Sequence, residues 1–387
     1  MDWLEKTIKQ RILNECSSKI GISATLAELG GYSCVGNLNK FLKTDRKPDN
    51  FSGYVQIVSY LFPDKAVEYL KEESITVDPK VTLAKNMLVY LEMNKEYSHL
   101  RLLINKMLDC GKKSSQQWAK IFETDLDYLQ GKIDFQEAMD KFCSIKSDDS
   151  EMDVYTSFMK AYLYLDKQYY EAAYSLTINM DNLIKDVKEQ FIRDTFTARL
   201  MLIQTEYNVR KGDVIPARRI ALEMFNCIEN SSYRAWAALH LGNSYITESF
   251  DKADNYFNLG LALPGINDRV KANLKKSKTF NQNLWSKQPD NLVFDSQLVC
   301  DKHEVAHRYI RLNETDKAMD ILTSLDNLTV NESAFNYYLR GLITNSMDDF
   351  CKSIKFFRQS GDVYFKALSL IELSKLEVNE CLIDALA

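Results

Sequence analysis

The chain has 387 residues, 45% of them hydrophobic, but only 13 Gly and 6 Pro; apolar residues spaced by three and four exclude a β-rich fold and predict an all-α one. The net charge of −5 excludes a uniformly basic nucleic-acid coat. It is unevenly placed: residues 1–50 carry 8 Lys+Arg against 6 Asp+Glu (+2), the remainder 41 against 48 (−7).

The first residues, MDWLEKTIKQR, are charged and lack the apolar core of a signal peptide, and no run of about 18 apolar residues follows. Eight cysteines without a close pair predict reduced core thiols. A soluble cytoplasmic protein with no membrane partner is expected.

Residues 1–62 predict a helix over 3–19, a short helix over 24–29, a turn at Gly30-Gly31, a helix over about 33–43, and another over about 50–61. Ser33 and Asn50 are the expected N-caps. Helix, glycine-containing turn and helix inside a small bundle outline a helix-turn-helix module. Its second helix presents Ser33, Asn37, Asn39 and Lys40, with Lys43, Arg46 and Lys47 following. Asn reads base edges and Lys holds phosphates, so double-stranded DNA is the candidate partner. The alternative is a bundle that only closes the end of a solenoid.

From about residue 64 one unit recurs: an aromatic helix, a polar turn, and a second helix with a small residue in its first turns. The small residues are Ala138, Ala173, Ala217, Ala253, Ala318 and Ser353, at spacings of 35, 44, 36, 65 and 35. A period near 34 with this pattern is the tetratricopeptide signature. The helices cross closely there, leaving room for little more than a methyl group. Such hairpins stack into a superhelix whose concave face binds peptides. Residues 266–300 are looser and account for the longest spacing. The end of the chain places Leu368, Ile371, Leu382 and Leu386 on apolar stripes, too apolar for a terminal repeat. That predicts a homodimer contact, or packing on the preceding hairpin.

HEVAH at 303–307 matches the zinc-protease pattern, with His303 and His307 on one helix face and Glu304 as general base. The chemistry needs a third ligand, and Glu332 downstream is isolated. No other catalytic, phosphate-binding or cofactor motif is present, so neither an enzyme nor a metal or cofactor site is expected. The polar residues of the concave helices point to a peptide instead. The amide of Asn243 can pair with one peptide unit, and Gln204 and Asn208, one turn apart, can form a similar ladder. Arg234 can hold a carboxylate terminus, while Glu304 and Asp362 can hold an ammonium or a ligand arginine.

LHLGNSYITESFDKADNYF, LWSKQPDN and YLRGLITNSMDDFCKSIKFFRQSGDVYFKALSLIELSKLE resemble the arbitrium peptide receptors (AimR) of temperate Bacillus phages, within the tetratricopeptide quorum-sensing receptors. The resemblance runs over essentially the whole length and is strongest over 233–376. It implies a helix-turn-helix domain (1–62), a peptide-binding superhelix (63–365) and a capping and dimerisation segment (366–387). It also implies that a peptide-free dimer binds an operator and activates a transcript favouring lysis, and that a hexapeptide switches this off. Asn243, Asp362 and Glu304 fall on family peptide-contact positions, and Gln204, Asn208 and Arg234 near others. Three readings compete: a peptide-gated transcription regulator, a peptide receptor acting on a protein partner without DNA, and a zinc peptidase.

Overall fold

The computed structural model describes residues 7–145, 149–325, 327–376 and 379–386. Among them are 23 helices and no strand. No described helix is long and apolar enough to cross a membrane. The chain forms two compact units, residues 1–163 with 178–200, and residues 164–177 with 201–387.

The first unit opens with α1 (Ile8–Ser18), α2 (Ile22–Leu29), α3 (Val35–Leu42) and α4 (Phe51–Leu61). Thr7 and Gln10 close a capping box on α1, and Asn50 caps α4 through the Gly53 amide. Gly31, at φ +71°, makes the turn between α2 and α3, a conformation that favours glycine. Cys34, not Ser33, is the N-cap of α3 and makes no side-chain cap; the Ser33 hydroxyl instead accepts from Asn37 Nδ2 at 2.8 Å.

α5 (Ala66–Ser74), α6 (Thr82–Met93), α7 (Tyr97–Asp109), α8 (Lys113–Leu129), α9 (Phe135–Ser144) and α10 (Ser150–Asp166) follow. The compact unit does not end at residue 62. Phe51 of α4 packs edge-on against Tyr90 of α6 and against Phe191, and Tyr54 donates to Glu73 of α5 at 2.8 Å.

After α11 (Tyr170–Ser175) and α12 (Met180–Lys185), α13 (Gln190–Lys211) contains the boundary between the units. The second unit continues with α14 (Val214–Cys227), α15 (Ser231–Tyr245), α16 (Phe250–Leu261), α17 (Asp268–Leu284), α18 (Val299–Arg311), α19 (Thr315–Thr323), α20 (Val330–Thr344), α21 (Met347–Ser360), α22 (Val363–Lys375) and α23 (Glu380–Leu386).

All six small residues of the repeat are buried, none more than 1% exposed; five are fourth in the second helix of their hairpin and Ser353 is at the middle of α21. Gly242 gives the same constraint from the first helix, because a Cβ there would lie 2.3 Å from the Phe257 ring. Gly242→Val is therefore expected to lower stability by about 1–3 kcal/mol through overpacking, seen as a lower thermal midpoint.

Two expectations change. Residues 268–284, read as loose, form α17; only 285–298 is irregular, tied down by Trp285 Nε1 donating to Ile246 O at 2.9 Å and by Lys278–Asp290 at 2.8 Å. The cysteines are not core thiols: all eight are free and half-buried or exposed.

Candidate functional site

In the N-terminal bundle, Leu38, Phe41 and Leu42 are buried and hold α3, while Ser33, Asn37, Lys40 and Lys43 are exposed together and Asn39 is half-buried. Lys9 of α1 secures the end of α3. Its ammonium donates to the carbonyls of Phe41 at 3.0 Å, Thr44 at 2.8 Å and Arg46, and lies 4.0 Å from the Phe41 ring centroid. The exposed polar face and the basic turn after it are thus fixed by a cation that uses all three of its donors.

The second unit contains a cleft of about 610 Å³, within the roughly 300–1,000 Å³ usual for ligand sites. Its walls come from α13, α15, α17, α18, α20 and α22 and from the irregular stretch at 291–293. Phe280, Phe335, Leu339 and Phe365 form an apolar floor. Several lining residues carry buried polar atoms without a hydrogen-bond partner in the chain: Asn243 Oδ1, Thr279 Oγ1, His303 Nε2, Asn331 Oδ1 and both nitrogens of His307. An unmet buried polar group costs about 1–3 kcal/mol, so a ligand rich in amide groups recovers that cost.

Glu304 also lines the cleft and accepts from Asn283 Nδ2 at 2.7 Å. Burial pushes its carboxyl up to about 8, against the Asn283 hydrogen bond and with help from Asp301. Burial moves the neighbouring histidines the other way, His303 to about 4 and His307 to about 3. A carboxyl raised on folding from 4.5 gives stability that is full below 4.5 and lost as pH rises to about 8. The histidines' contribution changes only below their ordinary 6.5. Between pH 6.5 and 8, native stability should therefore fall by about 1–2 kcal/mol relative to Glu304→Gln, whose side chain is half-buried. Denaturant midpoints of the two proteins across that window check it.

HEVAH lies on α18 with both imidazoles buried and neutral. Glu332, the isolated third candidate, accepts from the Thr329 amide at 3.0 Å in the capping box of α20. Among the described residues no group of three His, Cys, Asp or Glu is placed to hold a metal.

The other expected peptide contacts are placed differently. Gln204 and Asn208 lie outside the cleft wall, and Asn208 Nδ2 donates to the Gln204 carbonyl at 2.6 Å. Two residues along a helix is a turn of about 200°, so Arg210 faces the cleft where Gln204 and Asn208 do not. Arg234 is engaged with Phe225, its Nε donating to the carbonyl at 3.0 Å, its guanidinium 5.1 Å from the ring. Asp362 is wholly buried and paired with Arg210. Asn331, Thr279, His303 and Arg210 are among the wall residues that the sequence does not single out for the groove. The only advance signal was the placement of 303 and 331 in first helices of hairpins.

At the C-terminus, Leu368 is buried in the core of its own unit and Leu386 packs against that core. Arg358 holds the last turn through the carbonyls of Ala385 (3.4 Å) and Leu386 (2.6 Å). Ile371 is 44% exposed, while the side chain of Leu382 lies outside the described residues.

Residues 66–375 match the AimR transcriptional regulator-like family model. The chain is 28% identical over 375 residues to the AimR transcriptional regulator of Bacillus phage phi3T, covering 94% of this chain and 97% of that one. It is 26% identical over 364 residues to the AimR transcriptional regulator of Bacillus phage SPbeta (93% and 94%). The solved structure of phAimR in its selenomethionine form superposes with a TM-score of 0.81 at 26% identity, covering 98% of this chain and all of that one. A ligand-bound phAimR structure shares the fold at a TM-score of 0.77 and 24% identity (86% and 98%). With a family match over most of its length, the chain belongs to the AimR transcriptional regulator-like family.

Proposed function

We propose that this protein is a peptide-gated transcription regulator and not an enzyme: its homodimer binds operator DNA through α3 and the basic turn after it, activating a transcript that favours lysis, and a hexapeptide in the second unit's cleft switches activation off. The observation that carries the peptide reading is the set of unpartnered polar atoms on residues that also line an aromatic cleft, which suits a ligand rich in peptide groups. Relatives named as transcriptional regulators support the regulatory half. Ile371, with Leu382, is the part of the C-terminal stripe proposed for the dimer contact, since Leu368 and Leu386 are engaged within their own unit. The bacterial cytoplasm is the proposed location.

An electrophoretic shift with phage promoter DNA, with and without hexapeptides, tests the reading. Two chains per duplex and a peptide-dependent change in the complex are expected. A chain that binds hexapeptide but leaves all duplexes free would favour a receptor acting on a protein partner.

A further inference from the structure

Cys300 is the second residue of α18, is exposed, and belongs to the cleft wall. Lys276 of α17, on the same wall, donates to its sulfur at 3.3 Å. The thiol itself donates to Asp301 Oδ1 at 3.8 Å. Among the described residues, the other exposed cysteines, at 34, 143, 227 and 381, have no cation donating to their sulfur. Exposure beside a cation is the setting in which a cysteine exchanges and does not stay inert. The surroundings of Cys300 also call for a guest. Thr279 lies one turn from Lys276 and His303 one turn from Cys300, so each pair shares a helix face, and all four line the cleft. Thr279 is only 3% exposed and His303 6%, yet Thr279 Oγ1 and His303 Nε2 have no partner in the chain. Lys275 and Lys276 against Asp301 leave this part of the wall net positive, because burial keeps the Glu304 carboxyl largely protonated at neutral pH.

We propose that Cys300 is a modification site: it exchanges with an anionic low-molecular-weight disulfide, and the mixed disulfide so formed occupies the peptide cleft. This rests on the peptide reading above and adds a regulation of the same site. Cys300 gives its proton to solvent, and its sulfur attacks one sulfur of the incoming disulfide. The new S–S bond forms as the old one breaks, and the departing thiolate carries away the electron pair. The protein sulfur is oxidised and the departing half is reduced, so no further oxidant enters. The Lys276 ammonium faces the charge on the attacking sulfur, while Lys275 and Lys276 together draw in a disulfide that carries carboxylates. A chain holding the adduct ignores its peptide until a free thiol reverses the exchange by the same route.

Oxidised glutathione, which is anionic, and cystamine, which is cationic, are the probes. They are applied at equal concentration to the full-length native chain and to Lys275→Ala/Lys276→Ala, and peptide mapping by mass spectrometry reads the rate at each cysteine. Cys300 is expected to react with oxidised glutathione at least about tenfold faster than the four other exposed cysteines. It should lose most of that lead with cystamine, and most of it in the double variant. An equimolar pool of synthetic hexapeptides then reads the cleft. The modified native chain is expected to retain at least about tenfold less peptide than the unmodified chain, with dithiothreitol restoring it. Cys300→Ser should retain the same amount before and after treatment. No lead at Cys300, an equal lead with both probes, an undiminished lead in the double variant, or undiminished retention by the modified chain overturns the proposal. If Cys300 leads as expected but the unmodified chain retains no peptide, the exchange site stands and the peptide reading falls. Peptide retention without a lead at Cys300 keeps the peptide reading and removes the modification.

Discussion

Replacing Asn37, Lys40 and Lys43 together by alanine is expected to weaken operator binding by at least about a hundredfold while the helical signal and thermal midpoint stay near native. Loss of a base contact at Asn37 accounts for about 1–3 kcal/mol of this, felt more at the operator than on random duplex. Loss of the two lysines weakens both duplexes and should reduce the slope of log affinity against log salt by about 0.9 per phosphate contact. All three side chains are exposed, so their removal leaves no cavity. Deleting residues 1–62 is a poorer test, because it strips Phe51 and Tyr54 from the first unit and leaves Tyr90, Phe191 and Glu73 without their partners. Titration over a salt series with operator and random duplexes decides the matter. Native affinity and native slope in the triple variant would remove α3 from the interface.

The repeat was legible because it rests on a steric demand that one position must meet. Where helices cross at van der Waals distance, only Ala, Gly or Ser fits, and Ala253 or Ser353 is as easily read in sequence as in space. The N-terminal bundle was legible for a similar reason: Gly31 marks a turn that needs positive φ, and Asn50 is a cap that few other residues supply. α17 was missed because KANLKKSKTFNQN carries few apolar residues. Its inner face is amide-rich, with Asn281 donating to Phe250 O at 3.4 Å and Asn283 to Glu304. Burial of amides that donate to a backbone carbonyl and a carboxyl group leaves no hydrophobic period to detect.

The groove residues divide along the same line. Asn243 and Glu304 sit in first helices whose start is marked by a clear repeat, so their facing was readable, and both line the cleft. α13 is 22 residues long and spans the boundary between the units, so counting from its ends does not say which stripe faces the cleft. The expectation falls on Gln204 and Asn208, whereas the α13 residue that lines the cleft is Arg210. Nor does sequence reveal that Asp362 is covered by a cation 152 positions away. Both placements concern pairings between hairpins, which depend on how the repeats stack and not on the pattern within any one of them.

Asn243→Ala is expected to weaken hexapeptide binding by about 1–3 kcal/mol, because a peptide group that lay against the amide is left buried and unpaired. Asn243 Oδ1 has no partner in the free chain, so its removal breaks no hydrogen bond of that oxygen and should leave stability close to native. Asp362→Ala does not separate binding from folding. It leaves Arg210 with one of its two carboxylates, and breaking a buried pair costs about 3–5 kcal/mol. Operator binding by Asn243→Ala should match the native chain, because its DNA-contacting residues are untouched. On the proposed reading the variant is expected to ignore its signal and to hold infected cells toward lysis. A peptide acts only through its differential affinity for two states of the protein. If it acts by weakening DNA binding, operator DNA must weaken peptide binding by the same factor in the native chain. If calorimetry shows no such reciprocity, the peptide changes what the DNA-bound dimer recruits. Native hexapeptide affinity in Asn243→Ala would place the ligand outside the cleft.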